Sequence, residues 1–132
     1  MEIISLRLLI AEDYELFRNL YRAIIEPRPE LQIVAEACDG LQALQMAAEL
    51  KPDMILLDIG LPLLNGFDAA RLIRKLAPDS KIIFLSQELA PEVVQEAFNL
   101  GASAYVMKAT AASDLLAAID AVRVGGNFVS RV

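Results

Sequence analysis

The sequence predicts an α/β domain built on a parallel sheet with helices on both faces. Three observations carry that prediction. Five short apolar runs recur along the chain, five helical patterns alternate with them, and four of the runs end on polar residues. Those four ends are Glu12-Asp13 after Leu8-Leu9-Ile10-Ala11, Asp58 after Met54-Ile55-Leu56-Leu57, Ser86 after Ile82-Ile83-Phe84-Leu85, and Lys108 after Ala104-Tyr105-Val106-Met107. In an open parallel sheet the crevice at the carboxyl ends of the strands is where ligands bind, so these residues are expected to converge on one pocket.

Strands are read at Leu6–Ala11, Gln32–Cys38, Met54–Asp58, Lys81–Ser86 and Ala104–Met107. Their near-continuous apolar character is that of strands covered on both faces. The first helix carries Leu16, Phe17, Leu20, Tyr21, Ile24 and Ile25 as an apolar stripe expected to face the sheet, and stops before Pro27 and Pro29. A second helix is expected from about Leu41 to Leu50, behind Asp39-Gly40 and ahead of Pro52. The third follows Asn65-Gly66, with Asn65 as N-cap and Asp68 in the first turn, and Pro78 closes it. The fourth starts near Pro91 and ends at Gly101, a residue suited to the left-handed position after a helix. The fifth starts behind Thr110, presents Leu115, Leu116, Ile119 and Val122 on one face, and stops at Gly125-Gly126.

A chain of 132 residues accommodates one core, and no repeat, low-complexity stretch or internal linker divides it. It is 56% hydrophobic, yet no run approaches the ~20 apolar residues of a membrane span. Met1-Glu2-Ile3-Ile4-Ser5-Leu6-Arg7 lacks the basic segment and long apolar core of a secretory signal, so a cytoplasmic location is expected. Cys38 is the single cysteine and is read as a small buried hydrophobe; one cysteine excludes an internal disulfide. Histidine is absent, which removes the commonest general base and transition-metal ligand. The net charge of −6, with a pI near 4.6, is the wrong sign for neutralising the phosphates of a duplex.

Taken singly, each polar strand end has an ordinary structural use. Glu12 or Asp13 could cap the first helix or favour its dipole, Ser86 could open a turn, and Lys108 could blunt a sheet edge. Asp58 is harder to explain that way, because it ends the most apolar strand, where an unpaired carboxylate is costly. Their coincidence at four strand ends favours a site. Three carboxylates in one crevice repel one another and persist with a cation among them or with shared protons. Oxygen ligands without His or Cys select Mg²⁺, ahead of Mn²⁺ or Ca²⁺. With no histidine, and no cysteine near the crevice, the available covalent chemistry is attack by an aspartate on phosphorus, and central Asp58 is the candidate nucleophile. Lys108 and the metal could then clamp the phosphoryl oxygens while the Ser86 hydroxyl hydrogen-bonds to one of them.

The segments Leu8 to Asp13, Leu56-Leu57-Asp58-Ile59-Gly60-Leu61-Pro62, Asn65-Gly66, Phe84-Leu85-Ser86 and Gly101 to Lys108 together closely resemble a bacterial response-regulator receiver domain, more narrowly one of NarL/FixJ type. The resemblance implies a flavodoxin-like (βα)5 doubly wound parallel sheet with strand order 2-1-3-4-5. It further implies that Asp58 is the phosphoacceptor and that Glu12, Asp13, Asp58 and the Gly60 backbone carbonyl hold Mg²⁺. Lys108 would contact the phosphoryl group. Ser86 and Tyr105 would form the switch, Tyr105 rotating inward as Ser86 turns to the phosphate, and Gly60 and Glu88 would flank the line of water attack on the aspartyl phosphate. The implied function is a phosphorylation-activated switch that takes its phosphoryl group from a sensor histidine kinase. It would signal through the surface of the fourth helix, fifth strand and fifth helix, without being an enzyme on external substrates.

Ala109 follows Lys108 where many receivers have a proline after a cis bond; a cis non-proline bond costs about 3 kcal/mol, so a trans bond is expected. Residues 1–124 are read as the receiver and 125–132 as the start of a linker, the DNA-binding output domain being absent from this chain. Contact with DNA would come only through that domain. A free-standing or degenerate receiver acting by protein docking is the alternative. A true phosphohydrolase is disfavoured, because Gly60 stands where related phosphatases need a second aspartate. A homodimer would use the surface just named or the first and fifth helices.

Overall fold

Side chains alternate across a strand, and in this sheet the alternation sorts an almost wholly apolar set of residues into two cores. Leu9, Ala11, Ile55, Leu57, Ile82, Phe84 and Tyr105 point to one face, and Leu8, Ile10, Met54, Leu56, Ile83, Leu85, Ala104 and Val106 to the other. The computed structural model describes residues 5–131. The elements are β1 (Leu6–Ala11), α1 (Glu15–Ile25), β2 (Leu31–Ala37), α2 (Gly40–Leu50), β3 (Met54–Asp58), α3 (Gly66–Leu76), β4 (Lys81–Ser86), α4 (Pro91–Asn99), β5 (Ala104–Met107), a 3₁₀ turn (Lys108–Thr110), α5 (Ala111–Arg123) and β6 (Phe128–Val129).

All strand pairs are parallel and the order is β2-β1-β3-β4-β5-β6. The 2-1-3-4-5 core is therefore as expected. α1 and α5 cover one face through Tyr21, Ile25, Leu115, Ala118, Ile119 and Val122, while α2, α3 and α4 cover the other through Ala43, Ala47, Ala69, Ala70, Ile73 and Ala97. The alanines let three helices sit close to the sheet. Asn65 caps α3 by accepting from the Asp68 amide at 2.9 Å, and Gly101 takes φ +93° after α4, both as expected.

Four features differ from the sequence reading. β2 ends one residue earlier, and Cys38 is exposed, its amide donating to Gln42 Oε1 at 2.8 Å, so it is not a buried hydrophobe. Leu16 lies 67% exposed and is not part of the packed stripe, which runs from the partly buried Phe17 to the buried Tyr21 and Ile25. Neither Glu12 nor Asp13 caps α1, whose cap position is Tyr14. A sixth strand extends the sheet within the tail read as a linker. Residues 1–4 of the segment weighed against a secretory signal, and residue 132 of the tail, lie outside the described residues. Among the described residues no peptide bond is cis, so the bond after Lys108 is trans, and no helix is long and apolar enough to cross a membrane.

The tail is fastened beside β5. Phe128 and Ser130 amides donate to the Ser103 and Tyr105 carbonyls at 3.2 and 2.9 Å. The buried Ser130 hydroxyl accepts from the Met107 amide at 3.0 Å and donates to Asp114 Oδ2 at 2.7 Å, which also accepts from Thr110 Oγ1 at 2.7 Å. The hydroxyls of Ser130 and Thr110, with a lesser contribution from Ser113, hold the Asp114 carboxyl below its ordinary value against the opposing effect of burial. A carboxyl depressed in the folded state adds stability above its unfolded pKa and loses it as pH falls through the folded value.

A close approach fixes the loop after β3. A Cβ on Gly66 would stand 2.3 Å from the Asp58 carbonyl oxygen and 2.7 Å from Ile59 Cα, both backbone atoms that cannot move aside. Gly66→Ala is expected to cost about 1–3 kcal/mol in urea unfolding, the scale of overpacking, and to displace the end of β3. Ser130→Ala is expected to cost about 1 kcal/mol at pH 7, given solvent screening around Asp114, and its difference from wild type to shrink below about pH 4 as Asp114 protonates. Urea melts of both proteins across pH check this.

Candidate functional site

The same alternation that builds the cores aims the site residues. Glu12 continues β1, its amide donating to the Ala37 carbonyl at 3.0 Å, and its side chain falls on the α1 side, two positions beyond Ile10. Asp58 follows Leu56 and Lys108 follows Val106 in the same phase, so all three converge on that side. Ser86 and Tyr105, in phase with Phe84, belong to the α4 side. These strand ends open into a cleft of about 630 Å³, lined by Glu12, Asp13, Tyr14, Phe17, Asp58, Gly60, Ser86, Glu88 and Lys108 among others.

A buried ionic triad forms its floor. The Lys108 ammonium lies 2.8 Å from Glu12 Oε1 and 3.1 Å from Asp58 Oδ1, with Glu12 fully buried and the other two nearly so. The Gly60 amide donates to Asp58 Oδ1 at 3.1 Å. The Tyr21 hydroxyl donates to Glu12 Oε1 at 3.0 Å, and the Tyr14 amide to Glu12 Oε2 at 3.2 Å. Lys108 Nζ also stands 4.6 Å over the Phe17 ring, which stacks on Tyr21 with centroids 6.2 Å apart. Burial pushes the Glu12 carboxyl above its ordinary value; the Lys108 hydrogen bond opposes this and the Asp58 charge adds to it. Burial, and then the Glu12 charge, push the Tyr21 phenol upward, so it stays a hydrogen-bond donor.

Carboxylate oxygens of Glu12, Asp13 and Asp58 all lie within 4.8 Å of one another. The donor set is oxygen alone, and Asp13 is exposed at the cleft mouth. Such a set fits a hard divalent cation that keeps part of its water shell. A cation there would also offset the Asp58 charge, which adds to the burial that raises Glu12.

On the α4 side the Ser86 hydroxyl accepts from the Glu88 amide at 3.0 Å, and the Tyr105 hydroxyl donates to the Glu88 carbonyl at 2.6 Å. Tyr105 is fully buried, so its ring already points inward. Burial raises its phenol, which the Ser86 hydroxyl partly offsets. Every site residue expected from the sequence thus lines the cleft or, for Tyr105, lies behind it. The apolar spacing of α1 places Tyr21 and Phe17 only in the core. The missed signal was a tyrosine on the buried stripe of α1, since a buried phenol needs a polar partner.

The profile of the response regulator receiver domain matches residues 8–120. The chain is 33% identical over 125 residues to the transcriptional regulatory protein DegU of Brevibacillus brevis, covering 95% of this chain and 53% of that protein. It is 38% identical over 105 residues to a protein-glutamate methylesterase/protein-glutamine glutaminase of Thermotoga maritima, covering 78% of this chain and 30% of the enzyme. It superposes on the crystal structure of a LuxR-family two-component response regulator from Aurantimonas sp. SI85-9A1 with a TM-score of 0.88 at 32% identity, covering 94% of this chain and 89% of that one. The chain spans about half the length of the curated transcriptional regulators it matches. A carboxylate cleft at the ends of β1 and β3, the five-strand order and these likenesses agree, and the chain belongs to the response regulator receiver domain family of two-component systems.

Proposed function

We propose that this receiver is a phosphorylation switch in which Asp58 accepts a phosphoryl group from the phosphohistidine of a sensor histidine kinase. The observation that carries this reading is the Asp58 carboxylate at the floor of an acidic cleft, with the Lys108 ammonium 3.1 Å from its Oδ1. An Asp58 carboxylate oxygen attacks phosphorus in line. The phosphorus–nitrogen bond breaks as the phosphorus–oxygen bond forms, and the imidazole leaves, taking its proton from solvent. Glu12, Asp13, Asp58 and the Gly60 carbonyl would hold Mg²⁺, which when bound neutralises charge on the phosphoryl oxygens.

The chain's own groups do the rest. Lys108 turns from the carboxylates to a phosphoryl oxygen, and Ser86 exchanges the Glu88 amide for another. Release of that amide frees the segment to which Tyr105 is tied, which passes the change to α4, β5 and α5. Gly60 leaves open space beside Asp58, since a Cβ there would meet only Asp58 Oδ1 at 3.9 Å; with Glu88 it borders the approach of the water that hydrolyses the aspartyl phosphate. Relatives are named transcriptional regulatory proteins and a LuxR-family two-component response regulator; on this reading the chain controls a DNA-binding output domain in a cytoplasmic transcription regulator, with dimerisation as one way to relay the change.

Intact-mass spectrometry after incubation with acetyl phosphate tests the reading. Wild type is expected to gain one phosphoryl group in the presence of Mg²⁺ and none with the metal chelated. Asp58→Asn is expected to gain none under either condition. A wild-type protein that stays unmodified throughout would instead mark a receiver that works only by docking.

A further inference from the structure

We propose that Tyr21 is a positioning residue of the metal centre: its hydroxyl holds Glu12 in place for the cation and keeps Glu12 Oε1 hydrogen-bonded when Lys108 leaves for the phosphoryl group. The inference rests on the receiver reading and adds a residue to it.

The geometry is specific. Glu12 Oε1 has two side-chain donors, Lys108 Nζ at 2.8 Å and the Tyr21 hydroxyl at 3.0 Å, while Oε2 has the Tyr14 amide at 3.2 Å. The Glu12 carboxylate is wholly buried, so an oxygen stripped of its donors would carry the full cost of desolvation. Lys108 serves both Glu12 and Asp58, and a phosphoryl group on Asp58 competes for the same ammonium. Tyr21 is committed to Glu12 alone: it is fully buried, and the hydroxyl's hydrogen bond among the described residues goes to Glu12. Phe17, one helical turn before it, stacks on its ring and supports the ammonium from below, so one face of α1 positions both charged groups. Outer partners of ligating carboxylates act on metal affinity in this manner.

The test compares wild type, Tyr21→Phe and Ile25→Val, the last a packing change at a buried site one turn along α1. Mg²⁺ is titrated by calorimetry, and the Mg²⁺ midpoint for modification by acetyl phosphate is followed by mass spectrometry. Tyr21→Phe is expected to weaken Mg²⁺ binding about tenfold and to raise the midpoint by a similar factor. Ile25→Val is expected to lower the melting temperature with both Mg²⁺ readouts unchanged. In wild type carrying ¹³C-labelled tyrosine, assigned with Tyr14→Phe and Tyr105→Phe, the Tyr21 Cζ resonance is expected to shift when Mg²⁺ is added. A Tyr21→Phe protein that binds Mg²⁺ like wild type overturns the proposal, as does a Tyr21 resonance indifferent to the metal should that variant not fold. If wild type itself binds no Mg²⁺, the phosphorylation-switch reading falls and this proposal with it.

Discussion

The Lys108 ammonium buried between Glu12 and Asp58 is the constraint around which the domain is arranged. Removing three charged groups from water costs several kcal/mol each, and Coulomb attraction offsets this only when geometry is tight and the remaining hydrogen bonds are made. Both conditions are met. Among the described residues no buried side-chain polar atom lacks a partner, and the triad draws its further donors from the Gly60 amide, the Tyr14 amide and the Tyr21 hydroxyl. The cluster also carries a residual imbalance, two buried carboxylates against one ammonium, with Asp13 nearby at the mouth. A divalent cation would answer that imbalance, and on the proposed switch a dianionic phosphoryl group would then draw Lys108 away.

The sheet makes the triad possible through parity. Three strand ends carry their last side chains in one phase, toward α1 and α5, and one carries Ser86 in the other, toward α4. A one-residue slip of β3 or β5 would send Asp58 or Lys108 to the wrong core. Register is held by the apolar runs and by backbone packing at the β3–α3 loop. There the Gly66 amide bonds the Ile59 carbonyl at 2.8 Å, and the Gly40 amide reaches the Pro62 carbonyl at 3.1 Å. The placement of Asp58 thus depends on hydrogen atoms at Gly66 and Gly40 where any other residue has a Cβ.

Parity is also why so much was legible in the sequence. Asp58 announces itself as a charge closing an apolar strand, and Lys108 gains meaning from the strand before it; neither needs a long-range contact to be noticed. What escaped was set by tertiary context. Phe128–Val129 is a two-residue strand behind two glycines, too short for periodicity, and only the open edge of β5 makes it one. Cys38 lies one residue past the end of β2, where burial stops. Leu16 belongs to the helical stripe by spacing, but it faces solvent while Phe17, Tyr21 and Ile25 of the same helix pack against the core. Tyr21 satisfies the apolar pattern with its ring and conceals a polar role in its hydroxyl, so hydropathy alone cannot separate it from Ile25.

Two short chains of hydrogen bonds leave the site on either side of β5, and they bear on how a local change at Asp58 could reach a surface. One runs from Ser86 through the Glu88 backbone to the Tyr105 hydroxyl. The other begins at Lys108, whose neighbour Met107 donates through its amide to Ser130, which in turn holds Asp114 of α5. Of the two side chains proposed to contact a phosphoryl group, Ser86 reaches β5 through two hydrogen bonds by way of the Glu88 backbone and Lys108 directly follows it in the chain, β5 being a strand of four residues between β4 and the minimal β6. On that proposal a phosphoryl group would pull on both together. β3 is flanked by β1 and β4 along its length, whereas β5 has only the two-residue β6 on its outer side, so a change carried to β5 arrives where α4, α5 and the tail pack on that strand.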